Sequence, residues 1–195
     1  DISWFENMMA IKLDGRRAAD RVLVQLKKKI ANAKRPITLA TILVGSRYDS
    51  ALYVKLKSRA AIRVGIRPEA HHLTSTITQV ALEKLIISLN RRKNIDGILL
   101  QLPLPKQLNA DAAVAVIDPT KDVDGFRPNN TLVIPPPVGA VLKLVALGKP
   151  KPKSFAVIVA QQSVFTERLG QVLDKAGHFT AVFEPHRHMK NIVRK

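Results

Sequence analysis

The spacing of apolar positions divides this chain into strand-like runs and amphipathic helices that alternate with one another. Residues 37–45, ITLATILVG, form an apolar run that follows Pro36 and ends in glycine, as a buried strand does. Residues 97–102, GILLQL, form a second run that ends at Gln101 and Leu102 and is closed by Pro103 and Pro105. This second run predicts a central parallel strand covered on both faces, with its carboxyl end turning into a proline-stiffened loop. A shorter strand is expected over 70–74.

Between these runs the period changes to that of a helix. Asp14 and Gly15 precede a segment in which Ala18, Ala19, Val22, Leu23, Leu26 and Ile30 recur at three- and four-residue spacing. The loop SRYDS offers Asp49 or Ser50 as the cap of the next helix, which runs to Val64 and stops at Gly65. Val80, Leu82, Leu85, Ile86 and Leu89 predict a helix over 78–90, and another is expected over 109–117. The order strand, helix, strand, helix, strand, helix predicts a parallel α/β sheet.

Beyond Asn130 the chain turns through IPPP into a helix over 138–147. GKPKPK, residues 148–153, then reads as a charged, proline-stiffened linker. After it come a strand in FAVIVA, a helix from Val164 ending at Gly177, and a strand from Phe179, which together make a βαβ unit. The predicted fold is therefore α/β: a three-layer parallel-sheet domain over 10–148, followed by a partial Rossmann-like βαβ unit over 149–195.

Composition narrows the class. Apolar residues make up 46% and charged residues 24%, as in an ordinary globular chain rather than a disordered one. No apolar run approaches the roughly 20 residues that span a bilayer, so no membrane partner is expected. Residues 1–10 lack the basic region and long apolar segment of a secretory signal. Cysteine is absent, which excludes disulfides and thiolate chemistry and suits a reducing compartment, cytoplasm or mitochondrial matrix. The charge is unusual: 32 basic against 15 acidic residues give +17. A field of that sign attracts polyanions, so RNA or a ribonucleoprotein is an expected partner class. Arg16, Arg17, Lys27, Lys28, Arg91, Arg92 and Lys93, with Lys149, Lys151 and Lys153, are the candidate phosphate contacts. Aromatics are only 5%, too few for base stacking along a single strand.

Candidate chemistry gathers in three segments. Tyr53 and Lys57 are one helical turn apart on one face. Gln101 ends its strand at the sheet edge where ligands bind in open α/β folds. KDVDG, residues 121–125, places Lys121, Asp122 and Asp124 together; a lone DVDG is most often a solvated turn, but here it follows GILLQLPLP by only a short helix. His71 and His72 are adjacent in a strand, point to opposite faces, and are read as structural.

The spacing S-x-x-Y-x-x-x-K in Ser50, Tyr53 and Lys57, then GILLQLPLP, then KDVDGF, resembles the methylenetetrahydrofolate dehydrogenase/cyclohydrolase family over roughly residues 10–150. That resemblance implies interconversion of 5,10-methylene-, 5,10-methenyl- and 10-formyl-tetrahydrofolate, with NADP or NAD as cofactor, tetrahydrofolate as substrate and a homodimer as assembly. It implies Lys57 as the catalytic acid/base, held by Tyr53 and Gln101, and Asp124 as the ligand of the pterin ring. Ser50, Leu102 and Pro103 join these as substrate-binding positions. The chemistry suits the residues. A lysine in an apolar crevice can shuttle protons, a neutral amide can hold it without adding charge, and a carboxylate can accept two bonds from an aminopyrimidine edge.

The resemblance weakens at the cofactor turn. Where the family has a glycine-arginine-serine turn, this chain has Ala160, Gln161 and Gln162, followed by Thr166, Glu167 and Arg168. A glycine turn lets backbone amides approach a pyrophosphate, and Glu167 adds a negative charge instead. The proline-cysteine-threonine-proline loop is shortened to Pro135, Pro136 and Pro137. Tight NAD(P) binding is not expected from these residues. The alternative function is a catalytically inactive folate-enzyme fold serving a ribonucleoprotein such as an organellar ribosome.

Overall fold

The structure is a computed structural model and describes residues 13–128, 130, 132–148, 154–158, 164–175 and 179–183. The chain falls into two compact units, one of residues 20–136 and one of residues 1–19 with 137–195.

The first unit is built on three parallel strands in the order β2-β1-β3: β1 is Thr38–Val44, β2 is Arg67–Leu73 and β3 is Gly97–Leu100. The helices α2 (Tyr48–Val64) and α3 (Gln79–Arg91) make the two crossovers, and α4 (Ala110–Val116) follows β3. The helix α1, Gly15–Ala31, leads in; Asp14 caps it by accepting the Arg17 N–H at 3.0 Å. No residue of α1 is buried, and Val22, expected on its inward stripe, is exposed. That stripe is narrower than its apolar sequence suggests.

The core lies on one face of the sheet. Ala40, Ile42 and Val44 alternate toward Leu82, Ile86 and Leu89 of α3 and Ala113 and Val114 of α4. Thr41 and Leu43 are buried too but point the other way, and α2 packs on β1 and β2 with Ala61 and Val64 outside that first cluster. The sheet is thus covered on both sides, which is why β1 and β3 carry continuous apolar runs. The most central of the three strands is β1, not the GILLQL run as expected. One edge of β3 pairs with β1, and the other meets a single bridge, Ile98 to Asp122. The strand also stops at Leu100. The β2 strand is longer than expected and half exposed, as an edge strand is.

The chain ends around the sheet are tied by side chains. Thr78 Oγ1 caps α3 by accepting the Ala81 N–H, and Asn109 Oδ1 caps α4 by accepting that of Ala112. Gly65, at φ 93°, stops α2 where expected. At the start of α2 the expected cap is not made, because the helix begins two residues early with Arg47 as its uncapped entry. Asp49 lies in the first turn, gripped by Arg47 at 2.7 Å, which holds its carboxyl down at about 2. His71 Nε2 meets Glu69 Oε1 at 2.9 Å, and His72 Nε2 meets the Gly45 carbonyl at 2.7 Å. Each histidine therefore has a structural partner, on opposite sides of β2.

Lys121 is one of these ties rather than a ligand group. Its ammonium donates to the carbonyls of Leu89, Asn90 and Arg92 at 3.3, 2.7 and 2.9 Å, at the negative end of the α3 dipole. Lys121→Met is expected to cost about 1–3 kcal/mol, the range for stranding partly buried partners of a charged donor. A urea midpoint equal to that of the native chain would remove this role.

In the second unit, α5 (Pro136–Gly148) packs Val138, Val141 and Leu142 against Leu169, Val172 and Leu173 of α6 (Val164–Lys175). The strands β4 (Ser154–Ile158) and β5 (Phe179–Phe183) pair in parallel on either side of α6 in sequence. The βαβ unit is present as expected. The compact units divide at 136/137, with the apolar face of α5 covered by α6. Residues 149–153 lie outside the described residues.

Candidate active site

Along α2 the inward row is Ser50, Val54, Lys57, Ala61 and Val64, at successive three- and four-residue steps. Four of these are small or apolar, and Lys57 is the one charged member. A lysine placed there reaches past the helix edge toward the sheet's rim instead of standing out in solvent. Its ammonium lies 3.6 Å from Asp124 Oδ2, with the two side chains 39% and 15% exposed. The structure therefore brings together two predicted site residues from distant parts of the chain.

Asp124 is placed by its neighbours in KDVDGF. Asp122 is 2% exposed and accepts three hydrogen bonds: from the Gly125 N–H at 3.0 Å, the Arg127 N–H at 3.0 Å and Asn130 Nδ2 at 2.9 Å. The residue between them, Val123, sits so close to β3 that a Cβ at Gly97 would lie 2.5 Å from its Cγ1. Gly125 takes φ +65°, and a Cβ there would meet the Val133 carbonyl at 2.8 Å. Both glycines are required, one by close approach and one by a left-handed turn. The motif thus sends its charged groups three ways: Lys121 to α3, Asp122 into its own loop, Asp124 to Lys57. Burial raises the Asp124 carboxyl above its ordinary value; Lys57 opposes the rise and Asp122 adds to it.

Gln101 extends the β3 ladder, its N–H donating to the Ile42 carbonyl at 2.9 Å. Its side-chain nitrogen donates to the Leu102 carbonyl at 2.7 Å, while Oε1 is buried with no donor among the described residues. Ser50 Oγ is likewise buried and unpartnered. Leu102 packs against the core, Pro103 is exposed after a cis bond, and Tyr53 is 58% exposed. Lys57 makes no direct hydrogen bond to Tyr53 or Gln101; its partner is Asp124. Nor is its surrounding the apolar crevice expected, since it is more than a third exposed and faces a carboxylate. A cavity of about 310 Å³ opens at the carboxyl ends of β1 and β2, lined by Gly45, Ser46, His72, Leu73, Thr74 and Ser75. None of the predicted site residues lines it.

Sequence reasoning named Asp122 without giving it a role, and missed Asn130. Asp122 resembles Asp124 in every local respect, and Asn130 stands in a turn beside another asparagine with nothing in the chain to single it out. Of the candidate phosphate contacts, Arg92 is not free: both its terminal nitrogens bind Glu69, at 2.5 and 2.8 Å. Ala160, Gln161 and Gln162, the cofactor-turn positions, lie outside the described residues, as do Lys149, Lys151 and Lys153. No described helix is long and apolar enough to cross a membrane.

Comparison with known proteins covers the same segments. The tetrahydrofolate dehydrogenase/cyclohydrolase catalytic-domain profile matches residues 13–124, a stretch that contains Ser50, Tyr53, Lys57, Gln101 and Asp124. The bifunctional protein FolD of Oleidesulfovibrio alaskensis is 39% identical over 182 residues, 87% of this chain and 64% of that protein. The FolD of Methanococcoides burtonii is 42% identical over 174 residues, 83% of this chain and 61% of its own length. The chain thus spans a little under two thirds of these relatives. Among solved structures, the FolD methylenetetrahydrofolate dehydrogenase/cyclohydrolase of Campylobacter jejuni superposes with a TM-score of 0.83 at 32% identity, covering 89% of this chain and 66% of that one. The Trypanosoma brucei dehydrogenase-cyclohydrolase, solved with NADP and an inhibitor, gives 0.82 at 29%, covering 90% and 64%. The motifs, the parallel sheet and these matches agree: the chain belongs to the tetrahydrofolate dehydrogenase/cyclohydrolase family.

Proposed function

We propose that this chain binds a reduced folate through Asp124 and uses Lys57 as acid/base in interconverting 5,10-methenyl- and 10-formyl-tetrahydrofolate. This is the cyclohydrolase half of the family's one-carbon chemistry. The observation that carries the reading is the Lys57–Asp124 contact at 3.6 Å. It puts a proton-transfer group beside a carboxylate suited to an aminopyrimidine edge. Water adding to the methenyl carbon loses a proton to the Lys57 amine; as the bond from that carbon to N5 breaks, the ammonium returns the proton to N5 and the adduct's hydroxyl releases its own proton to solvent, leaving the formyl group on N10. Residues 10–148 serve the folate in this reading, and 149–195 form a partial dinucleotide unit.

The dehydrogenase half, from methylene to methenyl, needs NADP or NAD. The parallel β4-α6-β5 unit has the right topology. The residues between β4 and α6 do not fit the cofactor: no glycine stands among residues 159–163, and Glu167 is the fourth residue of α6. A carboxylate in the first helical turn opposes the phosphate charge that such a turn is built to receive. No hydride step follows from this donor set, and negligible NADP-dependent turnover is expected.

Calorimetric titration of the purified chain with a folate analogue and with NADP tests both halves. Heat from the folate and none from NADP is expected; a folate titration without heat would remove the reading. Folate affinity also carries a pH signature. Asp124 must be ionised to accept two hydrogen bonds, and burial raises its carboxyl above 3.8. Binding should therefore begin to fail, as acid is added, before an ordinary aspartate would protonate. The ribonucleoprotein alternative gains no observation from the structure, and one of its basic contacts, Arg92, is taken by Glu69.

A further inference from the structure

The cavity at the carboxyl ends of β1 and β2 has no part in the reaction proposed above. Gly45, Ser46, His72, Leu73, Thr74 and Ser75 line it, and neither Lys57 nor Asp124 does. Its volume of about 310 Å³ lies at the small end of the range for ligand pockets. A Cβ at Gly45 would lie 3.5 Å from the Ser75 Cβ, so the loop after β1 and the loop after β2 run side by side. The loop after β3 borders the same rim, with Pro105 Cγ at 3.9 Å from that Cβ position.

The hydrogen-bonding groups of this cavity are unevenly used. Four of the six lining residues have their carbonyl oxygens engaged within the fold. Gly45 accepts from His72 Nε2 at 2.7 Å, Leu73 from the Gly45 N–H at 2.9 Å, Thr74 from the Ile77 N–H at 3.2 Å, and Ser75 from Gln107 Nε2. No carboxylate lines the cavity. The N–H groups and hydroxyls of Ser46 and Ser75 have no partner among the described residues. A hydroxyl can turn either way, but a backbone N–H only donates. What the cavity has left to offer is therefore mostly donors, which suits a ligand rich in acceptors.

We propose that this cavity binds a phosphate group, free or carried on a small molecule. Phosphate oxygens accept from Ser46 and Ser75. The Gly45 bond keeps a proton on His72 Nε2, so Nδ1 accepts from a P–OH when the ring is neutral and donates to a P–O⁻ when it is charged. A carboxylate has fewer oxygens for these donors and, when ionised, no proton to give. Neighbouring acids do not oppose an anion, because Asp49 is held by Arg47 at 2.7 Å and Glu69 by Arg92 at 2.8 Å. No lysine or arginine lines the cavity, so attraction comes from its neutral donors and from the general field of a chain at +17. The site stands independently of the folate reading.

An amide-resolved NMR titration of the purified chain tests it, with inorganic phosphate, glycerol 3-phosphate and acetate as probes. Neutral pH and constant ionic strength hold down the general pull of a basic surface. Both phosphates should shift the Ser46 and Ser75 amides to saturation, and acetate should bind about tenfold more weakly. Tighter binding of glycerol 3-phosphate would assign the cavity to a phosphorylated small molecule; binding of inorganic phosphate as tight or tighter would assign it to the free ion. Ser46→Ala and Ser75→Ala, both at exposed positions, should each weaken phosphate about tenfold, the low end for a hydrogen bond to a charged group. Ser75→Glu should abolish binding by placing a like charge at the site. Unchanged amide signals away from the cavity verify that each variant is folded. Shifts that spread over the lysine- and arginine-bearing helices without saturating at Ser46 and Ser75 would overturn the proposal. So would equal affinity for acetate, or phosphate binding that survives Ser75→Glu.

Discussion

Replacing Lys57 by methionine is expected to lower cyclohydrolase turnover by about 10²–10⁴-fold, the usual worth of a positioned acid/base. The cost to folding should be small, on the order of 1 kcal/mol, because the ion pair is partly solvated. Lys57→Arg separates charge from proton transfer. A guanidinium keeps the positive partner for Asp124 but does not deprotonate at working pH. It should therefore hold the fold and the folate while losing as much turnover as methionine does. The assay is loss of methenyl absorbance, paired with folate-analogue titration. An arginine variant with most of the native rate would take the proton shuttle away from Lys57 and leave it a charge partner only.

The largest effect on stability is expected at Asp122. Substituting alanine strands the Gly125 and Arg127 N–H groups and takes from Asn130 Nδ2 one of its acceptors, the Pro119 carbonyl remaining at 3.2 Å. The loss should be about 3–5 kcal/mol, the range for removing one partner of a buried charged network. Because this loop also carries Asp124, folate binding should fall with it. Asp111, exposed in the first turn of α4, provides the control. Asp111→Ala should stay within about 0.5 kcal/mol of native. Urea unfolding of the two variants side by side decides the matter, and equal midpoints would show that Asp122 does not organise the loop.

The element order, the two apolar strands, the stop of α2 at Gly65 and the βαβ unit were all readable in the chain, because each depends on local periodicity or on a backbone preference of one residue. The family motifs were readable for a related reason: Ser50, Tyr53 and Lys57 lie within two turns of one helix, and KDVDG lies within one loop. Boundaries were less accessible. The chain offers Asp49 as a cap, but only the structure shows Arg47 gripping it, so that α2 starts earlier without one.

What tertiary structure alone decided is which of several like groups does what. Asp122 and Asp124 have the same side chain and the same glycine-bounded surroundings. They part company through their partners: Asp122, bridged to Ile98, accepts from Gly125, Arg127 and Asn130, while Asp124 lies 3.6 Å from Lys57. One aspartate is thereby turned into its own loop and the other toward Lys57. The division of the chain at 136/137 was decided in the same way. α5 is apolar wherever it is drawn, and only its packing on α6 shows which unit buries it. Sequence determined the local periods and the chemical inventory, since these are properties of neighbours along the chain. Partnership between distant residues, Lys57 with Asp124 above all, depends on where the sheet brings them, and no local pattern encodes it.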